Sequence, residues 1–565
     1  MFFSPTTARS LPVRSLFAGI YIILILGGIT MIFPFLIMIT GSVEPRSQND
    51  RIDIFPPYLL NENALWSRYI ETKYIGTSSY YRMAWNDPTG SFLHVPPITK
   101  PVAESPDVSL WNEFLSSQDL SEKLFSVGFL RPDKRMPAFT NFAFRDWLVE
   151  KYGSLAGINR SLDASFQSVA KIESPQARMD GSILPDTSLV RAFLEFSATQ
   201  PQDRKFAWNV GGYYRTNVLP RLVDSDISVY NQRFGTSYAS YAEIPFPATV
   251  PEIGAEPWFF FVSRILRTDF VQLTPMGQEH LASLELAKAE FIRTLAKPED
   301  VLVVSADTLF AQWAAERGVS NALIPQESLD RAAFAKEKSF WRNQFLTLNY
   351  RLVLDEILGH GGAIRNTLIL VILSVAGALF INPLAAYALS RYKMKSSYHI
   401  LLFCLATIAF PAEVTMIPVF LQLKEFHLLN TFGALVLPGL ANGFSIFLLK
   451  GFFDSLPREL YEAADLDGAS EFTTFWTITM NLSKPILAVI ALQAFVVAYG
   501  TFFFALILAP DPKMWTIMVY VYQLRAQVGS PVVYASLIIT ALPTLIVFIT
   551  CQNIILRGIV VPSDK

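Results

Sequence analysis

The sequence predicts an all-α polytopic membrane protein with six transmembrane helices and a large mixed α/β domain inserted between the first and second spans. Three observations carry this. Six apolar runs, residues 16–40, 366–389, 400–423, 435–453, 486–508 and 532–556, can each cross a bilayer, some with tilt. Between the first two lies a polar, aromatic stretch, residues 44–360, with no apolar run of spanning length. Basic residues mark one side: Arg9 and Arg14 precede the first run with no acid, and Arg391, Lys393 and Lys395 follow the second. The expected division is 1–43 for the N-terminus and first span, 44–360 for the inserted domain, 361–558 for the membrane core and 559–565 for a tail.

The charge asymmetry puts the N-terminus in the cytoplasm, and six crossings return the C-terminus there. The inserted domain is then extracytoplasmic. A cleaved signal peptide is the alternative for the first run. That run is too long for a typical signal-peptide core and lacks a clear small-residue cleavage site, so a retained span is expected. Pro34 within it is a candidate kink.

Composition removes several function classes. A net charge of -2 leaves no basic footprint for nucleic acid. The five His are scattered, and the two Cys, Cys404 and Cys551, sit in apolar runs, so no metal-ligand spacing is present. There is no phosphate-cradling glycine loop, so any nucleotide hydrolysis belongs to a partner.

The inserted segment has no cysteine and must stand on its own core. Eight of the ten Trp lie there, at 66, 85, 111, 147, 208, 258, 313 and 341, which supplies bulky material for that core. Residues 159–175 and 231–247 echo each other: Asn, Ser, an aromatic, Ser, Ala, Ile and Pro recur in register. Two copies suggest a duplicated unit of helix end, loop and extended segment closed by Pro. Residues 274–296 read as one long amphipathic helix with Pro275 in its first turn, 301–304 as a strand, and 310–317 and 340–358 as helices.

Residues 455–485 form a polar interruption between the fourth and fifth runs. Pro457 suits a first helical turn, and Leu456, Leu460 and Ala464 follow at helical spacing. Gly468 fits a left-handed helix end, and Ser470 can cap the next helix. Glu462-Ala463-Ala464, three residues, then Gly468 resembles the EAA loop of permease subunits of binding-protein-dependent ABC importers, most closely the maltose-transporter-type carbohydrate permeases. Asn366-Thr367 and residues 385–391, 411–418, 428–431 and 552–558 resemble further landmarks of that family.

The resemblance implies a type I ABC importer permease core in the bacterial inner membrane. It implies ATPase coupling through Glu462, Ala463, Ala464 and Gly468, with no catalytic residue, metal or cofactor in this chain and ATP bound by a partner. The implied partners are a second permease subunit, an ABC ATPase dimer, an extracytoplasmic solute-binding protein and membrane lipid. Polar residues inside the apolar runs, Glu413, Asn442, Gln493 and Tyr499, are candidates for the substrate path, and Pro411 and Pro418 around Glu413 suggest a broken helix in the outer half of the third span. Three places depart from the family pattern: Asn481 where Pro is usual, residues 499–502 in the fifth span, and the tail at 561–565.

Residues 144–159 are similar to a helix-turn segment of bacterial beta-galactosidase-like glycoside hydrolases, which is not a catalytic motif. The alternative reading is therefore a membrane-tethered carbohydrate-binding or carbohydrate-processing protein with a relict permease core.

Overall fold

The computed structural model describes residues 11–44, 55–98, 106–130, 139–175, 177–179, 183–359, 362–392, 394–407, 411–526 and 528–558. Arg9, Lys393 and the tail at 559–565 lie outside the described residues. The fold is mostly helical and divides into two compact units, Met1–Ser42 with Val353–Lys565, and Val43–Leu352.

The first unit is apolar. Three of its helices can cross a membrane by length and composition: Ser15–Gly41, Gly362–Arg391 and the Ser530–Gln552 part of Ser530–Gly558. Two further pairs qualify if each bent pair is one span, Phe432–Gly439 with Gly443–Asp454 at 48° and Glu471–Leu482 with Lys484–Gly500 at 82°. The bends have local causes. Pro438 sits in the turn Leu437–Gly439, and Asn442 then starts a new helix by accepting from the Ser445 N–H at 2.9 Å. Pro485 opens the helix after the larger bend.

The expected third span, 400–423, is not one helix. It is a short apolar helix, Ser397–Ala406, followed by Ala412–Glu425, which begins after an extended Pro411. The expected fifth span is also interrupted: its helix ends at Gly500, Thr501 is extended, and Phe503–Leu508 resumes. Pro34 is accommodated inside Leu11–Gly41.

Helix Gly362–Arg391 is the pillar of this unit, packing against Gly443–Asp454 and Lys484–Gly500. Close approach relies on missing side chains: a Cβ on Gly443 would lie 2.1 Å from the Cys404 carbonyl oxygen. The spanning part of the first helix buries none of its residues within the chain, and Met31, Ile23 and Leu24 are exposed. Such a face needs lipid or another protein as its solvent.

The second unit is packed differently. Its four strands are three residues each and form two antiparallel ribbons, β1 (Phe125–Val127) with β2 (Lys205–Ala207) and β3 (Val271–Leu273) with β4 (Val301–Val303). The expected mixed α/β domain is therefore a helical domain with two short ribbons. The 301–304 strand is present as β4. The expected long helix at 274–296 is two helices, Pro275–Ala282 and Lys288–Thr294. Tertiary contacts override its helical periodicity. Gly277 presses on the Asp300 backbone, where a Cβ would sit 2.2 Å from the carbonyl oxygen, while Phe291 and Ile292 insert into the core.

Trp66, Trp208, Trp258 and Trp341 are fully buried, and Trp341 stacks on Phe129 with ring centroids 4.1 Å apart. One buried carboxylate ties distant segments together. Asp330 accepts from Lys73 Nζ (2.8 Å), Tyr74 Oη (2.5 Å), Trp85 Nε1 (2.8 Å) and Gln326 Nε2 (2.9 Å). Burial, and then the Asp330 charge, hold the Tyr74 phenol well above its ordinary pKa, so it stays a donor.

The sequence echo is a structural repeat. Helices Leu155–Leu162 and Ile227–Phe234 both end in a left-handed residue, Asp163 and Gly235. In each copy one asparagine clasps the peptide seven residues on. Asn159 donates to the Phe166 carbonyl (3.0 Å) and accepts from the Phe166 N–H (2.9 Å). Asn231 does the same to Tyr238 (2.8 and 3.0 Å). A short 3₁₀ turn follows in both, then a buried isoleucine, Ile172 or Ile244.

Candidate functional site

The polar interruption folds as helix, turn, helix. Glu459–Leu466 is the first helix, and Gly468 takes φ +72°, as its place at a helix end requires. The Ala469 N–H reaches back to the Ala464 carbonyl (3.0 Å), and Ser470 Oγ caps the next helix through the Thr473 N–H (3.2 Å).

The short helix has two unlike faces. Tyr461 and Ala464 are buried against their own unit. Glu459, Glu462, Ala463 and Leu466 are exposed, Leu466 at 89%. The expected apolar face of Leu456, Leu460 and Ala464 is thus split, since Leu460 is exposed and Leu456 half-buried. Ala463 and Ala464 do not share a docking surface either. Adjacent helical residues lie about 100° apart, so Ala464 packs inward and Ala463 points out.

The end of the Gly362–Arg391 pillar grips this loop at Tyr461 and Glu471, and the end of the preceding helix at Phe453 and Asp454. The Arg391 guanidinium lies 3.3 Å from the Tyr461 ring centroid, and its Nη2 donates to the Phe453 carbonyl at 2.7 Å. Tyr387 Oη donates to Glu471 at 2.8 Å, and Ser390 Oγ donates to Asp454 at 2.6 Å. Tyr461 Oη in turn lies 3.0 Å from Thr479 Oγ1. A displacement of the loop helix therefore pulls directly on the pillar. The sequence marks Arg391 as a topology signal and as the end of the 385–391 landmark, but gives no sign of its contact with Tyr461 or of the role of Glu471.

Farther along the pillar is a cavity of about 110 Å³. Its polar lining is Ser374, Asn382, Asn442, Ser445, Gln493 and Thr501, and none of the described lining residues is ionisable. The Asn442 N–H donates to Asn382 Oδ1 (2.8 Å), which fixes both at the 48° bend. Gln493 makes no side-chain hydrogen bond among the described residues, so its amide is available to a solute.

Two of the four expected path residues, Asn442 and Gln493, meet in this cavity. Tyr499 does not line it; its ring stacks on Phe495 and its Oη donates to the Thr540 carbonyl at 2.6 Å, stapling two helices. The side chain of Glu413 lies outside the described residues. Ser374, Asn382, Ser445 and Thr501 were not anticipated. The signal was present as a four-residue stripe, Leu370, Ser374, Ala378 and Asn382, small or polar where it faces the cavity.

Residues 381–560 match the family described as binding-protein-dependent transport system inner membrane component. The chain is 34% identical over 204 residues to the probable ABC transporter permease protein YurM of Bacillus subtilis, covering 35% of this chain and 68% of YurM. The chain belongs to this family. This ABC permease is likewise 29% identical over 211 residues to the sn-glycerol-3-phosphate transport system permease protein UgpE of Yersinia pestis, covering 36% of this chain and 74% of UgpE. A solved bacterial ABC transporter involved in import of the acidic polysaccharide alginate matches at 26% identity and a TM-score of 0.34, over 36% of this chain and 78% of that one.

The permease is thus the non-catalytic, cofactor-free membrane subunit of a binding-protein-dependent ABC importer. It is a multi-pass protein of the bacterial inner membrane, and its family works with ATPase and binding-protein partners.

Proposed function

We propose that this permease carries an uncharged, hydroxyl-rich solute of the carbohydrate class. The observation that supports this is the neutral lining of the membrane cavity. A phosphate or carboxylate entering a water-poor site needs a cation to offset lost hydration, and the lining offers only amides and hydroxyls. One relative, UgpE, is named for a glycerol phosphate system, whose solute is charged. The cavity chemistry favours the neutral alternative.

In this reading the exposed Glu462 and Ala463 meet a cytoplasmic ATPase, Ala464 seats the helix on its own chain, and Gly468 sets the turn. An ATPase dimer, a second permease subunit and an extracytoplasmic solute-binding protein complete the importer. In this reading both termini are cytoplasmic and residues 44–360 form the extracytoplasmic domain, with five crossings if each bent pair counts as one and the broken run at 400–423 as the sixth. Glu413 stays a candidate path residue on the basis of its position alone.

The test is uptake by the complete importer in proteoliposomes. Glu462→Lys should leave membrane insertion intact and reduce uptake to background, and Gln493→Ala should raise KM for a neutral sugar. Normal uptake in Glu462→Lys, or a solute preference for phosphate esters, overturns the proposal.

A further inference from the structure

The aromatic unit contains a second, separate cavity, of about 270 Å³. Its walls come from helix Pro106–Ser117, β2 with the turn before it, Lys73 and helix Gln326–Gly359. Two lysines on its wall are almost wholly buried, Lys73 and Lys205, with side chains 1% and 2% exposed. Each has its counter-charge. Lys73 pairs with Asp330 at 2.8 Å, and Lys205 Nζ contacts both oxygens of Glu122 at 3.1 and 3.0 Å. Lys336 and Asp203 add one charge of each sign, so the site as a whole is neutral.

What distinguishes this cavity is unspent hydrogen-bonding capacity. Asp203 Oδ1 is buried and has no partner among the described residues. Asn112, Gln202 and Lys336 line the same space and make no side-chain hydrogen bond among the described residues. Lys73 Nζ spends two of its three N–H groups, on Asp330 and the Asp203 carbonyl (2.8 Å each). Exposed Asn112, Gln202 and Lys336 thus stand over the buried Lys73 and the buried Asp203 Oδ1 and beside an apolar wall that includes Trp111, Phe125 and Leu329. Another cavity in this unit, about 260 Å³, has most of its charges paired, Arg267 with Asp269 and Arg191 with Asp186, and leaves only Lys123 unpaired among its described charged residues.

We propose that the Asp203–Asn112–Lys336 cavity binds a single neutral sugar ring. Hydroxyls donate and accept at once, which suits a wall carrying both kinds of group. The C–H face of a pyranose suits the apolar wall. Charge neutrality argues against a uronate or phosphate, which would leave an uncompensated anion beside balanced pairs. The volume falls just below the roughly 300–1,000 Å³ of sites for drug-sized ligands, which points to one ring rather than an oligomer. This site is independent of the transport reading, because it lies in the aromatic unit and uses none of the membrane cavity's residues.

The test uses the full chain in detergent with 5-fluorotryptophan incorporated and the Trp111 fluorine resonance assigned through Trp111→Phe. The probes are methyl glucoside, methyl galactoside, methyl mannoside and glucuronate. At least one neutral glycoside should shift the Trp111 resonance saturably and leave those of Trp476 and Trp515 in place. The Asn112→Ala, Lys336→Ala double variant alters two exposed side chains and should weaken the response about tenfold. No shift with any neutral glycoside, a shift with glucuronate alone, or an unchanged response in the double variant overturns the proposal.

Discussion

The two units solve the packing problem in opposite ways. The aromatic unit closes on itself: Trp66, Trp208, Trp258 and Trp341 are fully buried, and the Asp330 carboxylate is satisfied by four donors from across the sequence. The apolar unit leaves whole faces open, as along the first helix. The difference reflects their solvents. Water drives apolar burial in the first, whereas lipid competes for apolar side chains in the second and leaves tight fit and polar contacts to specify it.

The sharpest way to break the contrast is Asp330→Ala. It leaves the Lys73 ammonium buried without its counter-charge, a loss on the order of 3–5 kcal/mol. Thermal unfolding followed by tryptophan fluorescence reads the aromatic unit, which holds eight of the ten Trp, and its midpoint should fall while the helical signal of the membrane spans persists. Equal loss in both units would show that they are not separately packed.

Next come the two clasps. Asn159→Ala and Asn231→Ala each remove a pair of peptide hydrogen bonds and should each cost about 1–2 kcal/mol. If the copies are independent, the double variant should equal the sum to within about 0.5 kcal/mol in denaturant titrations. A much larger double effect would make the repeat one cooperative element.

In the apolar unit a contact removed should appear in coupling rather than in stability. Arg391→Ala removes the cation over Tyr461 and the bond to the Phe453 carbonyl. Uptake per ATP hydrolysed should drop about tenfold with assembly preserved. Arg391→Lys should restore only part of this, because an ammonium cannot match the planar guanidinium. The smallest expected effect is Gln493→Ala, a rise of roughly 3–10-fold in KM for a neutral solute with kcat little changed.

Local chemistry made the loop at 455–485 legible through its glycine stop and serine cap, each of which specifies backbone geometry by itself, while Pro457 precedes the helix, which starts at Glu459, rather than entering its first turn. The clasp repeat was legible because the same asparagine recurs with the same following pattern. The break in the third run was legible from Pro411, whereas the other bends were not. A hydropathy run reports composition over many residues, whereas the bends at Asn442 and near Ser483 are set by one or two backbone angles. The split between Ala463 and Ala464 also escaped, because a motif gives spacing without saying which face its own chain covers. Arg391 was legible as a charge and as the end of the 385–391 landmark but not as a contact, since its partner Tyr461 lies across the fold rather than one turn away. The membrane cavity was half visible: Asn442 and Gln493 stood out as amides in apolar runs, but serine and threonine do not.

The central claim is that motion enters through the exposed face of helix Glu459–Leu466. Glu462→Cys, in a chain with Cys404 and Cys551 replaced, tests it in the assembled importer. A short bifunctional reagent should join position 462 to the ATPase subunit, with a yield that changes when ATP is added. Labelling of that cysteine by a membrane-impermeant reagent from the outer side, or active importer with no adduct to the ATPase, would contradict the account.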